Sequence, residues 1–325
     1  MKILIVQTAF IGDVVLTFPM IEAIKQSAEN CELDFLTLPQ YENFVSKSSS
    51  VSKVLVFDKK NEGFFKLLKF SRFLKNQKYD LAILPHRSFR SGLLVFLARV
   101  KKRVGFDIAE GRFFYTDRVP YIRDIHEVER NLTLARFCGF EKWDGRWNLP
   151  YDESFFKENV SPKRPQIVVS PLSNWATKMW PLEYWIELIN KISRNFQVII
   201  VGGGRMVDLW NKVKSQIPNN VLDFVGKTDF LTLSGIVKNA DLLITNDSAP
   251  LHFASAFNVK SIVIFGPTVP AFGFGPYNKN CVILEKNLPC RPCNIHGPQK
   301  CPLKHHNCMR KIYPQEVFKA VNSVF

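Results

Sequence analysis

The sequence predicts an α/β protein built from two doubly wound parallel-sheet domains. Short apolar segments of strand length alternate with amphipathic segments of helix length, a pattern typical of βαβ units. A polar stretch with several prolines interrupts this alternation once, near the middle of the chain. The 325 residues suit two domains of ordinary size, and a hydrophobic content of 46% is enough for two cores.

The first half of the chain predicts four strands and two helices. Apolar runs indicate the strands, and a helical period of apolar residues indicates the helices. The strands lie at residues 3–6, 33–38, 54–57 and 81–84, and the helices lie at residues 14–25 and 64–74.

The alternation stops at a linker and then restarts. Pro150, Pro162 and Pro165 mark the linker, and we place the domain boundary between residues 158 and 159. Two doubly wound halves joined in this way predict a main cleft between the domains. The second half predicts strands at residues 167–170, 198–201, 221–225, 242–245 and 261–265, and helices at residues 181–193, 206–213, after Thr228 and after Pro314.

Composition limits the class of protein. No apolar run is long enough to span a bilayer, and the chain passes from Lys2 straight into a strand without a secretion leader. We therefore expect a soluble cytoplasmic protein. The net charge is +15, and the segment from Lys59 to Arg118 holds 15 basic and 5 acidic residues. This basic segment predicts attraction to polyanions, although solvated lysines on ordinary helix faces would give the same pattern.

Two polar turns in the second half predict a phosphate site. Asn246-Asp247-Ser248 follows one buried-type strand, and Gly266-Pro267-Thr268 follows the next. Ligands of open parallel sheets bind outside the carboxyl ends of the strands, so both turns are placed to meet one anion. His252 lies one helical turn after Ser248. It is either a ligand contact or a satisfied core histidine.

The first strand leads into Gly12-Asp13 at the start of a helix. This turn is neither a dinucleotide fingerprint nor a Walker loop, because the further glycines and the lysine are absent. Asp13 has two interpretations. It caps the helix, as carboxylates do at such positions, or it is a general base at a strand end.

A third polar loop follows the first strand of the second half. Ser170, Asn174 and Thr177 offer hydroxyls and an amide, and Lys178 could hold a diphosphate as a point charge. The alternative is that tryptophans pack this loop and Lys178 is exposed to solvent. After the second predicted strand of that half, Gly202-Gly203-Gly204 allows close approach to a ligand, with Arg205 or Asp208 within reach of a ribose or base.

Four cysteines near the carboxyl terminus have spacings that resemble a metal knuckle. Cys290-x2-Cys293-x7-Cys301-x6-Cys308 is interspersed with three histidines, and its first pair has zinc-like spacing. The alternatives are reduced thiols or a local disulfide, which a cytosolic setting disfavours. Cys31, Cys138 and Cys281 are predicted to be buried as small apolar side chains.

With these residues in view, the chain resembles the bacterial heptosyltransferases of glycosyltransferase family 9, which build the inner core of lipopolysaccharide. The resemblance covers nearly the whole chain. The Cys-rich tail is similar to the heptosyltransferase II branch. The matching motifs are the segment 2–19 with Gly12-Asp13, Thr177-Lys178-x-Trp180-Pro181, Asn246-Asp247-Ser248-x3-His252 and Phe265-Gly266-Pro267-Thr268.

The resemblance implies a GT-B fold, in which two Rossmann-like domains face a central cleft. It implies transfer of L-glycero-D-manno-heptose from ADP-heptose to a Kdo or heptose hydroxyl of the growing core. The acceptor would bind residues 1–158 and the donor residues 159–325. The mechanism would be an inverting displacement with Asp13 as catalytic base. No Asp-x-Asp pair is present, so no metal is expected to be required, and the cysteine cluster is only a candidate for structural zinc.

The resemblance also assigns binding roles. Lys178 would bind the donor phosphate, Asp247 the heptose or phosphate, and Ser248, Ala249 and His252 an anion. The chain departs from the family at Ala249, where glycine is usual, and at Pro250, which has no amide to donate. The full donor set would be Ser170, Asn174, Thr177, Lys178, Asp247, Ser248, Ala249, His252, Gly266 and Thr268, and the acceptor set would be Gly12, Arg87 and Arg90.

The implied partners are ADP-heptose, a phosphorylated lipid A–core acceptor and the anionic inner face of the inner membrane, with no nucleic acid. Two alternatives remain. One is a GT-B glycosyltransferase or epimerase that uses another nucleotide sugar, and the other is a basic polyanion-binding protein. An NAD dehydrogenase is disfavoured because the glycine fingerprint is missing.

Overall fold

The computed structural model describes residues 1–58, 63–160 and 164–325, which form two compact units, Met1–Pro150 and Tyr151–Phe325. The division falls before the boundary placed at 158/159, which lies inside a helix of the second unit. Pro162 of the predicted linker, and Lys59 and Lys60 of the basic segment, lie outside the described residues.

The first unit is a six-stranded parallel sheet with helices on both faces. Its strand order is β3-β2-β1-β4-β5-β6, and every pair is parallel. Its elements are β1 (Lys2–Val6), α1 (Ile11–Val15), α2 (Phe18–Ser27), β2 (Glu32–Thr37), α3 (Glu42–Ser46), β3 (Lys53–Val56), α4 (Phe64–Asn76), β4 (Leu81–Leu84), α5 (Phe89–Leu97), β5 (Lys102–Phe106), β6 (Asp117–Val119) and α6 (Glu127–Phe137).

The second unit repeats this topology. Its strand order is β12-β11-β10-β7-β8-β9, again parallel throughout. Its elements are α7 (Ser154–Asn159), β7 (Gln166–Ser170), α8 (Leu182–Ile192), β8 (Gln197–Ile200), α9 (Val207–Asn211), β9 (Leu222–Asp223), α10 (Phe230–Lys238), β10 (Leu242–Asn246), α11 (Pro250–Ala256), β11 (Ser261–Ile264), β12 (Cys281–Leu284), α12 (Asn307–Arg310) and α13 (Pro314–Val324).

The two sheets confirm the predicted α/β class and the doubly wound order. In each sheet the strand order reverses next to the first strand, between β1 and β4 and between β7 and β10. These central strands are buried on both faces, which explains their continuous apolar sequences. Ligands of such sheets bind at the carboxyl side of this switch point, so the fold places two candidate sites, one in each unit.

The single helix predicted at residues 14–25 is wrong. The structure has two helices there, α1 and α2, separated at Leu16 and Thr17. Pro19 lies in the first turn of α2, where its missing amide costs nothing, but it could not continue a helix from Val14.

The strands that the sequence did not predict lie in the outer parts of the sheets. β6 and β12 are edge strands whose residues are partly exposed, and β5 begins with two half-buried basic residues. Strands with such exposure need no continuous apolar run. Of the cysteines predicted to be buried, Cys31 is buried, whereas Cys138 and Cys281 are only partly buried. Among the described residues, no helix has the length and apolar character needed to cross a membrane.

Candidate active site

In the second unit, three loops meet at the carboxyl ends of β7, β10 and β11. Asn246, the last residue of β10, is fully buried and joins these loops. Its Oδ1 accepts a hydrogen bond from the backbone amide of Trp180 at 3.0 Å, and its Nδ2 donates to the carbonyl of Pro171 at 2.9 Å. Asn246 therefore has a structural role, since it links the loop after β7 to the end of β10.

That next residue, Asp247, forms the centre of a buried polar network. Lys178 Nζ lies 2.6 Å from Asp247 Oδ2, and the hydroxyl of Thr268 donates to the same oxygen at 2.6 Å. The side chains of Lys178 and Asp247 are only 12% and 6% exposed. The alternative in which Lys178 is exposed to solvent is therefore wrong.

This network determines what each group can still do. An ammonium has three donors, so Lys178 keeps two for a phosphate after pairing with Asp247. The Thr268 hydroxyl has a single hydrogen to donate, and it donates this hydrogen bond to Asp247. In this structure Thr268 therefore orients Asp247. The arrangement fixes a cation at the switch point of the second sheet.

The remaining predicted donor residues are divided between this network and its surroundings. Ser170 ends β7 beside Thr245, and Ser248 Oγ lies 3.1 Å from Thr245 Oγ1. Ala249 is the N-cap residue of α11, and His252 is buried within that helix. Gly266 packs against Met309, whose side chain a Cβ there would meet at 2.7 Å.

The glycine turn after β8 approaches the loop that follows β7. Gly204 has a φ of +79°, and a Cβ on it would lie 2.6 Å from Asn174 Oδ1. The left-handed backbone conformation favours glycine there, and a larger residue would also displace the Asn174 side chain. Asp208 is exposed on α9, and the Arg205 side chain lies outside the described positions.

The Cys-rich segment holds two of these loops in place, which the sequence did not reveal. Arg291 donates to the carbonyl of Thr268 at 2.7 Å, and Cys293 donates its amide to Pro267 at 2.8 Å. Gln299 donates to the carbonyl of Asn174 at 3.1 Å and accepts from the amide of Ala176 at 3.3 Å.

Thr177 forms hydrogen bonds with the same segment, so its hydroxyl is used within the protein. Its hydroxyl donates to the carbonyl of Pro298, and its own carbonyl lies 2.8 Å from His306 Nε2. Gly297 packs closely against both loops, because a Cβ on it would lie 3.0 Å from Pro267 and 3.3 Å from Lys178. The chain after β12 therefore forms the outer wall of the lysine–aspartate network.

The four cysteines of this segment do not form the predicted knuckle. All seven cysteines are free, so the disulfide alternative is wrong. Across residues 1–58, 63–160 and 164–325, no group of three or more His, Cys, Asp or Glu side chains is arranged to hold a metal ion. Burial raises the pKa of the Cys308 thiol to about 11.

In the first unit, Asp13 lies in α1, just beyond the end of β1. Its Oδ2 accepts a hydrogen bond from the amide of Phe10 at 3.2 Å, so the carboxylate caps the helix. Desolvation by the surrounding protein nevertheless raises the pKa of Asp13 to about 7, and the charge of Glu127 raises it further. Capping and basicity are therefore compatible, since the group keeps an affinity for protons that suits a general base at neutral pH.

Arg87 lies close enough to Asp13 to lower its pKa, opposing those effects. The Arg87 guanidinium stacks on the ring of Tyr121 at 4.8 Å from the centroid, and Arg130 stacks on the same ring at 4.7 Å. Arg130 is itself buried and paired with Glu127 at 2.6 Å. Gly12 is buried beside Asp13, whereas Arg90 is exposed on α5.

The sequence also missed a hydrogen-bonded group at this edge of the first sheet. His86 follows β4, and its Nδ1 lies 3.2 Å from the hydroxyl of Thr8, which lies 3.2 Å from Ser91 Oγ. A polar side chain directly beyond the end of a buried strand is the signal that pointed to Asn246-Asp247-Ser248. The same signal was available at Leu84-Pro85-His86.

Residues 67–303 match a protein-family model described as "Glycosyltransferase family 9 (heptosyltransferase)". The match covers well over half of the chain. The chain belongs to glycosyltransferase family 9. It is therefore a glycosyltransferase, as its sequence predicted.

Relatives of this family 9 glycosyltransferase match over the whole chain. The lipooligosaccharide heptosyltransferase 2 of Campylobacter jejuni is 25% identical over 335 residues, which cover 100% of this chain and 99% of the relative. The structure of Escherichia coli ADP-heptose lipopolysaccharide heptosyltransferase II has a TM-score of 0.80 at 20% identity, covering 100% and 98%. The structure of E. coli heptosyltransferase WaaC with ADP has a TM-score of 0.78 at 19% identity, covering 100% of both chains. These likenesses confirm the GT-B fold.

Proposed function

We propose that this family 9 glycosyltransferase transfers L-glycero-D-manno-heptose from ADP-heptose to a Kdo or heptose hydroxyl of the lipopolysaccharide inner core. The observation that carries this proposal is the carboxyl of Asp13, which stands at the switch point of the first sheet with a pKa raised to about 7. The relatives named as heptosyltransferases, and the one whose structure holds ADP, support the choice of donor.

The proposed reaction is a direct displacement with inversion. Asp13 takes the proton of the acceptor hydroxyl while that oxygen attacks the anomeric carbon of the heptose. The bond from the anomeric carbon to the diphosphate oxygen breaks, and ADP leaves with the electron pair. Each proton and electron pair therefore passes between the acceptor, Asp13 and the diphosphate.

The second unit would stabilise the leaving ADP. Negative charge builds on the diphosphate as the bond breaks, and Lys178 offers a cation whose position Asp247 fixes at 2.6 Å. Because Lys178 supplies this positive charge, we propose that no metal ion is required. Transfer that continues in the presence of EDTA would support this, and transfer that EDTA abolishes would refute it.

Arg87 is the proposed contact for the acceptor's own negative charge. Its guanidinium is stacked on Tyr121 and carries its charge toward Asp13. A guanidinium held flat in this way suits a carboxylate or phosphate of the acceptor, because it can bind two oxygens at once. The reaction would take place at the cytoplasmic face of the inner membrane, where such an acceptor is anchored.

A GT-B glycosyltransferase with another nucleotide sugar is the second candidate. The observation that favours it is Ala249-Pro250 at the start of α11, where proline has no amide to offer the donor. Calorimetry with ADP and UDP decides between the two. We expect ADP to bind at least about tenfold more tightly than UDP, a difference of about 1.4 kcal/mol. Tighter binding of UDP would favour the second candidate.

A further inference from the structure

We propose that the exposed phenylalanines and lysines around the first turns of α4 and α5 form a surface that docks on an anionic phospholipid bilayer. We call it the Phe–Lys surface, and it consists of Phe64, Phe65, Lys66, Lys69, Phe89 and Phe113. The inference rests on the proposed function only in that the acceptor of that reaction is a lipid.

The first observation is the exposure of the aromatic side chains. Phe65 is 87% exposed, Phe113 is 67% exposed, Phe64 is 58% exposed and Phe89 is 47% exposed. The second unit shows a contrast, since among its described residues Phe325 alone is an exposed phenylalanine. Large apolar side chains gathered on one exposed region mark an interaction site.

The second observation is that these side chains share one region of the first unit. α4 and α5 pack against each other and cover the same face of the sheet through Leu67, Leu74 and Leu94, which leaves their opposite faces outward. The turn that carries Phe113 packs on α5, and its neighbour Phe114 contacts the Phe89 ring at 5.2 Å. The phenylalanines therefore lie on two helices and a turn that pack against one another.

The third observation is the sign of the surrounding charge. From Gly63 to Tyr79 the sequence holds five basic residues and no acidic residue. Lys66, Lys69, Arg72 and Lys75 are all exposed on α4. A basic helix that also exposes aromatic side chains has the composition of an interfacial, membrane-docking helix.

The position of this surface matters for the reaction. Phe64, Phe65 and Phe89 lie in the first turns of helices that follow β3 and β4, so they stand at the carboxyl edge of the first sheet. Asp13 and Arg87 follow strands at that same edge. Docking through the Phe–Lys surface would bring the headgroup region of a bilayer to the edge of the sheet that holds the catalytic base.

Sedimentation with vesicles tests the inference. The full-length protein should bind vesicles of phosphatidylcholine mixed with phosphatidylglycerol, bind pure phosphatidylcholine weakly, and lose affinity as NaCl is added. The double variants Phe65→Ser/Phe113→Ser and Lys66→Gln/Lys69→Gln should each lower the affinity by about tenfold or more.

Matched variants away from the surface serve as controls. Phe137→Ser/Phe325→Ser removes two phenylalanines that are 47% and 51% exposed, and Lys212→Gln/Lys214→Gln removes two exposed lysines of the second unit. Both should bind vesicles like the wild type, and circular dichroism should show every variant folded. Surface variants that bind like the wild type would overturn the inference. A wild-type protein that does not bind anionic vesicles would also overturn it. The same holds if single-stranded RNA displaces the wild type from vesicles and the two surface variants have lost RNA binding.

The inference and the proposed function fail separately. Asp13→Asn should bind vesicles like the wild type, because Asp13 is not part of the Phe–Lys surface. A protein that binds anionic vesicles but transfers no heptose would refute the proposed function alone. A protein that transfers heptose to a detergent-dispersed acceptor but binds no vesicles would refute the docking surface alone.

Discussion

At the scale of single residues, Asp13 combines two roles that are often treated as alternatives. Its carboxylate accepts the amide of Phe10, and that bond lowers its pKa, but desolvation outweighs the bond and raises the pKa to about 7. The hydrogen bond therefore orients a group that desolvation keeps basic.

Replacing Asp13 tests the base directly. We expect Asp13→Asn to reduce turnover by about 10²-fold or more while ADP affinity stays near the wild-type value. Asp80→Asn, an exposed aspartate paired with Lys101, is the control and should keep full activity. Steady-state kinetics and calorimetry give the two values, and full activity of Asp13→Asn would remove its assignment.

The pH dependence of the reaction follows from the same carboxyl. A base must be deprotonated, so kcat/KM should rise with pH through an apparent pKa near 7. The negative charge of Glu127 raises the pKa of Asp13, so Glu127→Gln should move this rise to lower pH. A pH–rate profile that is unchanged in Glu127→Gln would contradict the coupling.

The sequence identified Asp13 and Lys178 because both follow apolar strands and carry charge. It could not show that Lys178 pairs with Asp247, nor that the Thr268 hydroxyl donates a hydrogen bond to Asp247, because these contacts join three loops that are distant in sequence. The same limit explains why Tyr121, which stacks on Arg87, gave no signal. Aromatic stacking leaves no spacing pattern in a sequence.

At the scale of elements, the loop after β7 and the turn after β10 act together through Lys178 and Asp247. We expect Lys178→Ala to weaken ADP binding by about tenfold or more, because it removes a cation and leaves Asp247 to repel the diphosphate. Lys191→Ala, which removes a lysine on the outside of α8, is the control.

Removing the charges of both Lys178 and Asp247 distinguishes attraction of the diphosphate by the lysine from its repulsion by the aspartate. Lys178→Ala/Asp247→Asn should bind ADP more tightly than Lys178→Ala alone, since the unpaired carboxylate is gone. Calorimetry of the wild type, Lys178→Ala, Asp247→Asn and the double variant measures the coupling. Equal affinities in all four proteins would show that this network does not bind the donor.

Close packing of α10 against the start of the second unit gives a stability test. A Cβ on Gly235 would lie 1.8 Å from the carbonyl oxygen of Asp152, so Gly235→Ala must displace backbone. We expect it to lower the stability of that unit by about 1–3 kcal/mol, seen as a lower Tm. Gly63→Ala, where a Cβ meets no atom of the described residues within 4 Å, should leave the Tm almost unchanged. A Gly235→Ala protein with the wild-type Tm would contradict the packing described here.

At the scale of the whole molecule, the fold was predictable because its central strands are buried on both faces. β1, β4, β7 and β10 appear in the sequence as apolar runs, and they fix the class and the carboxyl edges where the polar turns stand. Strands β5, β6 and β12 and the contacts of the Cys-rich segment were not predictable, although the edge strands β3 and β9 were predicted. The cysteine spacing pointed to a metal, whereas the structure uses that segment to hold the loops beside Lys178.

The proposed function assigns the catalytic base to Asp13 and the binding of the donor diphosphate to Lys178. The most direct measurement is mass spectrometry of Kdo₂-lipid A and its monoheptosyl form after incubation with ADP-heptose and the purified enzyme. We predict one added heptose on one of these acceptors with the wild type, and little or none with Asp13→Asn. No added heptose on either acceptor, or equal addition by Asp13→Asn, would contradict the account.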